Sequence, residues 1–189
     1  MSSARLSAVV ALVIASLLAP LLVASPAGAQ SDDTITIGTT DLPRSLDPAD
    51  AYDFAAWEVL SHLYTGLTRQ TPGTLDTELA LASAVDVSED GLTYTFTLRE
   101  DTAFADGTPI TAQDFVASIE RVIALNRPAA EAVTPYVARV EADDEGRLVF
   151  TLRRPVPYFL ALVALPPYFA QHPTLATKAQ ADPFLANGM

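Results

Sequence analysis

Residues 88–115 read SEDGLTYTFTLREDTAFADGTPITAQDF, and the order of turns and periods inside them decides the fold. Glu89-Asp90-Gly91 is turn chemistry. From there Leu92, Tyr94, Phe96 and Leu98 alternate with Thr93, Thr95, Thr97 and Arg99. That is the period of a strand whose aromatic and aliphatic face meets a core, while its threonines face water or a neighbouring strand. Asp106-Gly107 marks a second turn, and Pro109 suits its exit. Thr111-Ala112-Gln113-Asp114 has the spacing of a capping box, in which Thr111 accepts a helix N–H. Phe115, Val116, Ile119, Val122 and Ile123 then share one face of a helix. A carboxylate in an Asp-Gly turn is solvated far more often than catalytic. No His or Lys within the stretch can serve Asp106 as acid or base partner, so Asp106 reads as structural.

Downstream, Val137–Glu141 and Leu148–Leu152 read as two strands of a hairpin joined across Asp143-Asp144-Glu145-Gly146. The acidic triplet lacks the alternating ligand spacing and closing Glu of a calcium loop, which leaves a solvated turn. Pro155 and Pro157 end the second strand, and Tyr158 to Ala164 forms a short apolar helix stopped at Pro166-Pro167. Upstream, Phe54, Trp57, Leu60, Leu63, Tyr64 and Leu67 recur at spacings of three and four. They predict an amphipathic helix with Asp53 as its N-cap and Gly66 near its stop. Before it lie the loop DLPRSLDPAD and a strand over Thr34–Thr40, where Ile35 and Ile37 alternate with threonines.

The chain of 189 residues carries a formal charge of −12 and has no cysteine. Such a surface repels nucleic acid and anionic lipid. Leu6 to Ala24 is free of charge and is followed by Ala27-Gly28-Ala29, small residues at both positions that a signal peptidase reads. A membrane anchor is the rival reading, since about 20 apolar residues span a bilayer. Pro20, the single Arg5 and the A-x-A triplet favour a cleaved export signal over residues 1–29. Without a cysteine at the cleavage site there is no lipid attachment point, so the expectation is a soluble periplasmic or extracellular product.

Catalytic constellations are sparse. The lack of cysteine excludes thiol chemistry and thiolate metal sites. His62 and His172 stand far apart without metal-ligand spacing, and His62 falls on the outer side of its helix. No nucleophile elbow, Walker loop or dinucleotide glycine pattern occurs. No enzyme, metal site or cofactor is expected on these grounds.

Taken in order, SLDPADAYD, LYTGLTR, VSEDGLTYTFTLRED, FADGTPITAQDFVASIERV, VEADDEGRLVFTL and PVPYFLALV resemble the extracellular solute-binding proteins of ABC importers. The resemblance is to the branch that carries oligopeptides, dipeptides, nickel chelates and related solutes. It implies an α/β, periplasmic-binding-protein-like fold of type II, two-lobed and monomeric in full length, whose closed form docks on a membrane permease. Residues 30–66 would begin lobe I, 67–183 would form an additional α+β subdomain, and 184–189 would start a truncated return to lobe I. The second lobe would lie beyond Met189, making this the front end of a longer protein.

In that family the segment after L-D-P lines the cleft and pairs its backbone with a bound peptide. Carried over, the ligand-binding candidates are Ala51, Tyr52, Asp53 and Phe54, with Tyr136 as a second aromatic. Asp53 as a mere helix cap and Phe54 as mere core are the alternatives. Which solute is carried, peptide, chelate, sugar or opine, is not readable. Two other functions stay open. One is a secreted interaction subdomain using Trp57, Tyr64 and the Tyr158–Tyr168 run as apolar surface. The other is a secreted hydrolase with Asp47, Asp53 or Asp106 as one of two carboxylates.

Overall fold

Alternation in two strands builds the core. Tyr94 and Phe96 are the buried residues of one, and Leu148, Phe150 and Leu152 those of the other. The two strands pair antiparallel with Tyr94 opposite Phe150 and Phe96 opposite Leu148, which puts all five side chains on one sheet face. The structure is a computed structural model that describes residues 38–175. Apart from Gly38, these belong to one unit that starts at Thr39.

In chain order the elements are α1 (Phe54–Leu63), β1 (Thr68–Gln70), β2 (Thr77–Leu79), β3 (Ala82–Val87), β4 (Thr93–Leu98), α2 (Ala112–Leu125), β5 (Val137–Ala142), β6 (Leu148–Leu152) and α3 (Phe159–Leu162). Single 3-10 turns cover Pro128–Ala132 and Pro166–Tyr168. Strands β3-β4-β6-β5 form an antiparallel sheet, and β1-β2 form a separate ribbon. Helix α2 lays Phe115, Val116, Ile119 and Val122 into the same core as Phe96, Phe150 and Leu148. Aromatic rings lock this core. Phe150 meets Phe96 edge-on at 5.8 Å and Phe159 at 5.3 Å, while Tyr94 lies 4.8 Å from Phe159. Tyr168 is fully buried with its hydroxyl donating to the Ala132 carbonyl at 2.8 Å, and burial pushes its phenol pKa up.

The opening stretch folds as its residues dictate. The Asp106 carboxylate accepts the Thr108 N–H at 3.0 Å, and Gly107 takes φ +87°, which a side chain would resist. The Asp114 carboxylate reaches back to the Thr111 N–H at 2.8 Å, closing the capping box of α2. In the β5-β6 hairpin Asp143 accepts the N–H groups of Glu145 and Arg147 and pairs with the Arg147 guanidinium at 2.8 Å. The acidic triplet is a turn.

Several expectations are corrected. The large-residue stripe of α1 is not its buried face: Phe54 is 91% and Leu63 64% exposed, and Ala55, Ala56 and Leu60 are the buried residues. Small side chains let the helix approach its neighbours closely, so burial follows the alanines more than the aromatics. Phe54 is therefore no core residue. The helix stops at Tyr64, whose backbone is extended, before Gly66. The Tyr158–Tyr168 run is mostly core, since Phe159, Val163, Pro166, Pro167 and Tyr168 are buried, and the helical part shrinks to Phe159–Leu162. It does not offer the apolar surface expected of it. Of the Thr34–Thr40 strand, only Gly38, Thr39 and Thr40 are described, and these are not in a strand. The remainder of that strand, the export segment and residues 184–189 lie outside the described residues. No helix among the described residues is long and apolar enough to cross a membrane.

Candidate functional site

The loop that carries Ala51 to Phe54 is held from below by a buried charge pair. Asp47 is 2% exposed, and its carboxylate forms a two-pronged pair with the Arg121 guanidinium of α2, one bond measuring 2.7 Å. Arg121 also donates to the Gln171 side-chain carbonyl at 2.7 Å, and the Gln171 N–H donates to the Ser118 hydroxyl at 2.8 Å. Hydrogen bonding to Asp47 raises the Arg121 pKa further, so the guanidinium stays charged. Asp47 in turn shapes its own loop. Its side chain accepts the Ala49 N–H at 3.0 Å and its carbonyl accepts the N–H groups of Asp50 and Ala51. A turn closed this way turns the chain into α1.

The five candidate residues take different positions. Ala51 is buried, and its carbonyl accepts the Trp57 indole N–H at 2.9 Å. Tyr52 is 48% exposed and meets the Trp57 ring edge-on at 5.9 Å. Asp53 caps α1, its carboxylate accepting the Ala56 N–H at 2.8 Å and the Arg44 N–H at 3.4 Å. Phe54 projects into solvent. Tyr136 is half-buried, 6.2 Å edge-on from Tyr158, with the Arg154 guanidinium 5.7 Å from its ring centre. Hydrogen bonding with Tyr158 raises the Tyr136 pKa most, and Arg154 opposes the rise. Tyr158, half exposed, was read only as the start of an apolar run, and Arg154 was not singled out; neither was expected beside Tyr136. Only the adjacency of Tyr158 to the end of β6, whose partner β5 starts after Tyr136, could have suggested them.

The three carboxylates considered for hydrolysis all have structural partners. Asp47 is neutralised by Arg121, Asp53 caps a helix and Asp106 closes its turn. The structure does bring Asp106 a partner from outside its stretch, the His172 imidazole at 3.2 Å. Phe104 packs edge-on against the same imidazole at 5.0 Å, and both border an open groove of about 460 Å³ with Leu63, Tyr64 and Ile110. His62 is exposed. Among the described residues no group of three or more His, Asp or Glu side chains is placed to hold a metal ion.

A four-stranded antiparallel sheet backed by α2, with residues 51–54 leading into α1, defines a mixed α/β protein. The chain belongs to the bacterial extracellular solute-binding proteins, family 5, whose middle region matches residues 76–188. It is 38% identical over 136 residues to the probable D,D-dipeptide-binding periplasmic protein of Escherichia coli (strain K12), a match covering 70% of this chain and 26% of that protein. The Escherichia coli murein tripeptide-binding protein superimposes with a TM-score of 0.69 at 29% identity, over 77% of this chain and 31% of that one. The substrate-binding domain of an oligopeptide ABC transporter from Bacillus anthracis does so with 0.67 at 27% identity, over 74% and 30%. The chain thus spans about a quarter to a third of the relatives it matches. The proteins it resembles are named as binding proteins, and its fold is theirs.

Proposed function

We propose that this chain forms one wall of a solute-binding receptor of an ABC importer, which captures short peptides and hands them to a membrane permease. One observation carries the reading. Tyr136, just before β5, meets the exposed Tyr158 edge-on at 6.2 Å, and the loop before α1 holds out a second half-exposed ring, Tyr52. Aromatic rings with polar tips suit a ligand whose side chains vary, because they give apolar contact without a shaped pocket. Main-chain pairing along residues 51–54 would supply the rest of the affinity, as when an extended peptide is added to a protein's edge. Ala51 and Asp53 act through the backbone in this reading, with Asp53 also capping α1. Residues 1–29 direct export, 30–66 open the first lobe, and 67–183 form its additional subdomain. The opposite wall would come from the part of the relatives that this chain does not span, so the chain alone binds weakly.

Titration of the purified chain with Ala-Ala-Ala, followed by nuclear magnetic resonance, tests the reading. Millimolar binding that shifts the amide signals of residues 51–54 and the ring of Tyr136, with the peptide left intact, is the expected result. Cleavage of the peptide, or shifts confined to the Phe104–His172 groove, would overturn it. So would an affinity equal to that of a complete two-lobed relative.

A further inference from the structure

Arg154, like Arg44, has no carboxylate partner among the described residues, and it alone of the two is laid over an aromatic ring. The chain carries −12 overall, and most of its arginines are committed. Arg69, Arg121, Arg127, Arg139 and Arg147 each pair with a carboxylate, while Arg99 and Arg153 donate to the carbonyls of Ala80 and Thr134. Arg154 is exposed at the end of β6, and its contact among the described residues is the ring of Tyr136. A guanidinium laid over an aromatic face keeps its N–H groups directed outward in a planar fork, a shape that matches a carboxylate. The Tyr136 and Tyr158 rings meet edge-on with centroids 6.2 Å apart, and hydrogen bonding with Tyr158 raises the Tyr136 pKa. Each hydroxyl can donate one hydrogen bond to an anion.

We infer that Arg154, with the Tyr136 and Tyr158 hydroxyls beside it, is a subsite for a carboxylate of the bound peptide. The inference rests on the peptide-receptor reading above and adds the orientation of the ligand. A free C-terminal carboxylate and an Asp or Glu side chain present the same chemistry, so either source fits the subsite. The net negative charge of the chain disfavours a peptide's acidic end in general, and the Arg154 guanidinium offsets that locally.

Three probes separate the sources: Ala-Ala-Ala, its C-terminal amide, and Ala-Glu-Ala amide. Each is titrated into the chain and into Arg154→Gln and Arg154→Lys, reading the ring signals of Tyr136 and Tyr158 and the side-chain N–H signals of Arg154. The expected result is that a probe with a carboxylate shifts these signals and the uncharged amide does so about tenfold more weakly. Arg154→Gln removes that difference, and Arg154→Lys retains part of it, because charge survives without the fork. Response to Ala-Ala-Ala alone identifies the terminal carboxylate, and response to Ala-Glu-Ala amide identifies a side chain. If all three probes bind alike and Arg154→Gln changes nothing, the subsite is overturned while the receptor reading stands. If none of them shifts a signal on this face, both are overturned.

Discussion

A methyl group on Gly66 would lie 2.8 Å from the Thr68 carbonyl oxygen, 2.9 Å from that of Val163 and 3.0 Å from the Phe169 ring. Two of these three neighbours are main chain and cannot rotate away. Gly66→Ala is therefore expected to lower stability by about 1–3 kcal/mol through overpacking, read as a reduced urea midpoint. A change below about 0.5 kcal/mol would mean that β1 and the turn after α3 separate easily. Arg121 is the second decisive residue. Its removal in Arg121→Leu leaves Asp47 buried with no counter-charge, a loss of about 3–5 kcal/mol. Asp47→Asn placed on Arg121→Leu should recover part of that loss, since it removes the orphaned charge. Without such recovery, the harm would come from lost packing of the Arg121 stem. Neither residue announces itself in the sequence. Gly66 reads as a helix stop, and Asp47 and Arg121 stand 74 residues apart with no pattern that links them.

At the level of elements, legibility follows how one-sided the burial is. Strands β4 and β6 are covered on one face, so their alternation is visible residue by residue. Helix α2 buries a continuous apolar stripe and declares its start with a capping box. Asp114→Ala, which leaves the Thr111 N–H without its acceptor, is expected to cost about 1 kcal/mol. The measurement is again the denaturation midpoint, and an unchanged value would show that water replaces the carboxylate without loss. The ribbon of β1 and β2 escapes such reading because each strand is three residues long and only Thr68 is fully buried. The α1 stripe misleads for a different reason. Periodicity counts large side chains, whereas contact there is made by Ala55 and Ala56. Of the candidate site, residues 51–54 and Tyr136 were reached through family likeness, because no periodicity or motif of their own marks them as ligand-binding. The place of Arg154 and Tyr158 beside Tyr136 needed the structure itself.

For the molecule as a whole, two electrostatic effects of opposite sign govern the response to acid. The net charge of −12 strains the compact state by self-repulsion at neutral pH. Protonation relieves this as pH falls toward the isoelectric point near 4.3. Against it stand the turn carboxylates Asp90, Asp106 and Asp143, whose pKa values lie below the ordinary 3.8. The causes differ in order: the Ser88 hydroxyl leads for Asp90, the Thr108 N–H for Asp106 and the Arg147 N–H for Asp143. A group whose pKa is depressed on folding stabilises the protein above its unfolded pKa, and that contribution is lost as pH falls through the folded value. Thermal unfolding followed by circular dichroism from pH 8 to 2 should therefore show a midpoint that holds or rises down to about pH 4 and then drops. Replacing all three aspartates with asparagine should flatten the drop and leave the upper limb in place. If the triple variant falls as steeply as the parent, acid unfolding is driven from elsewhere than these three turns.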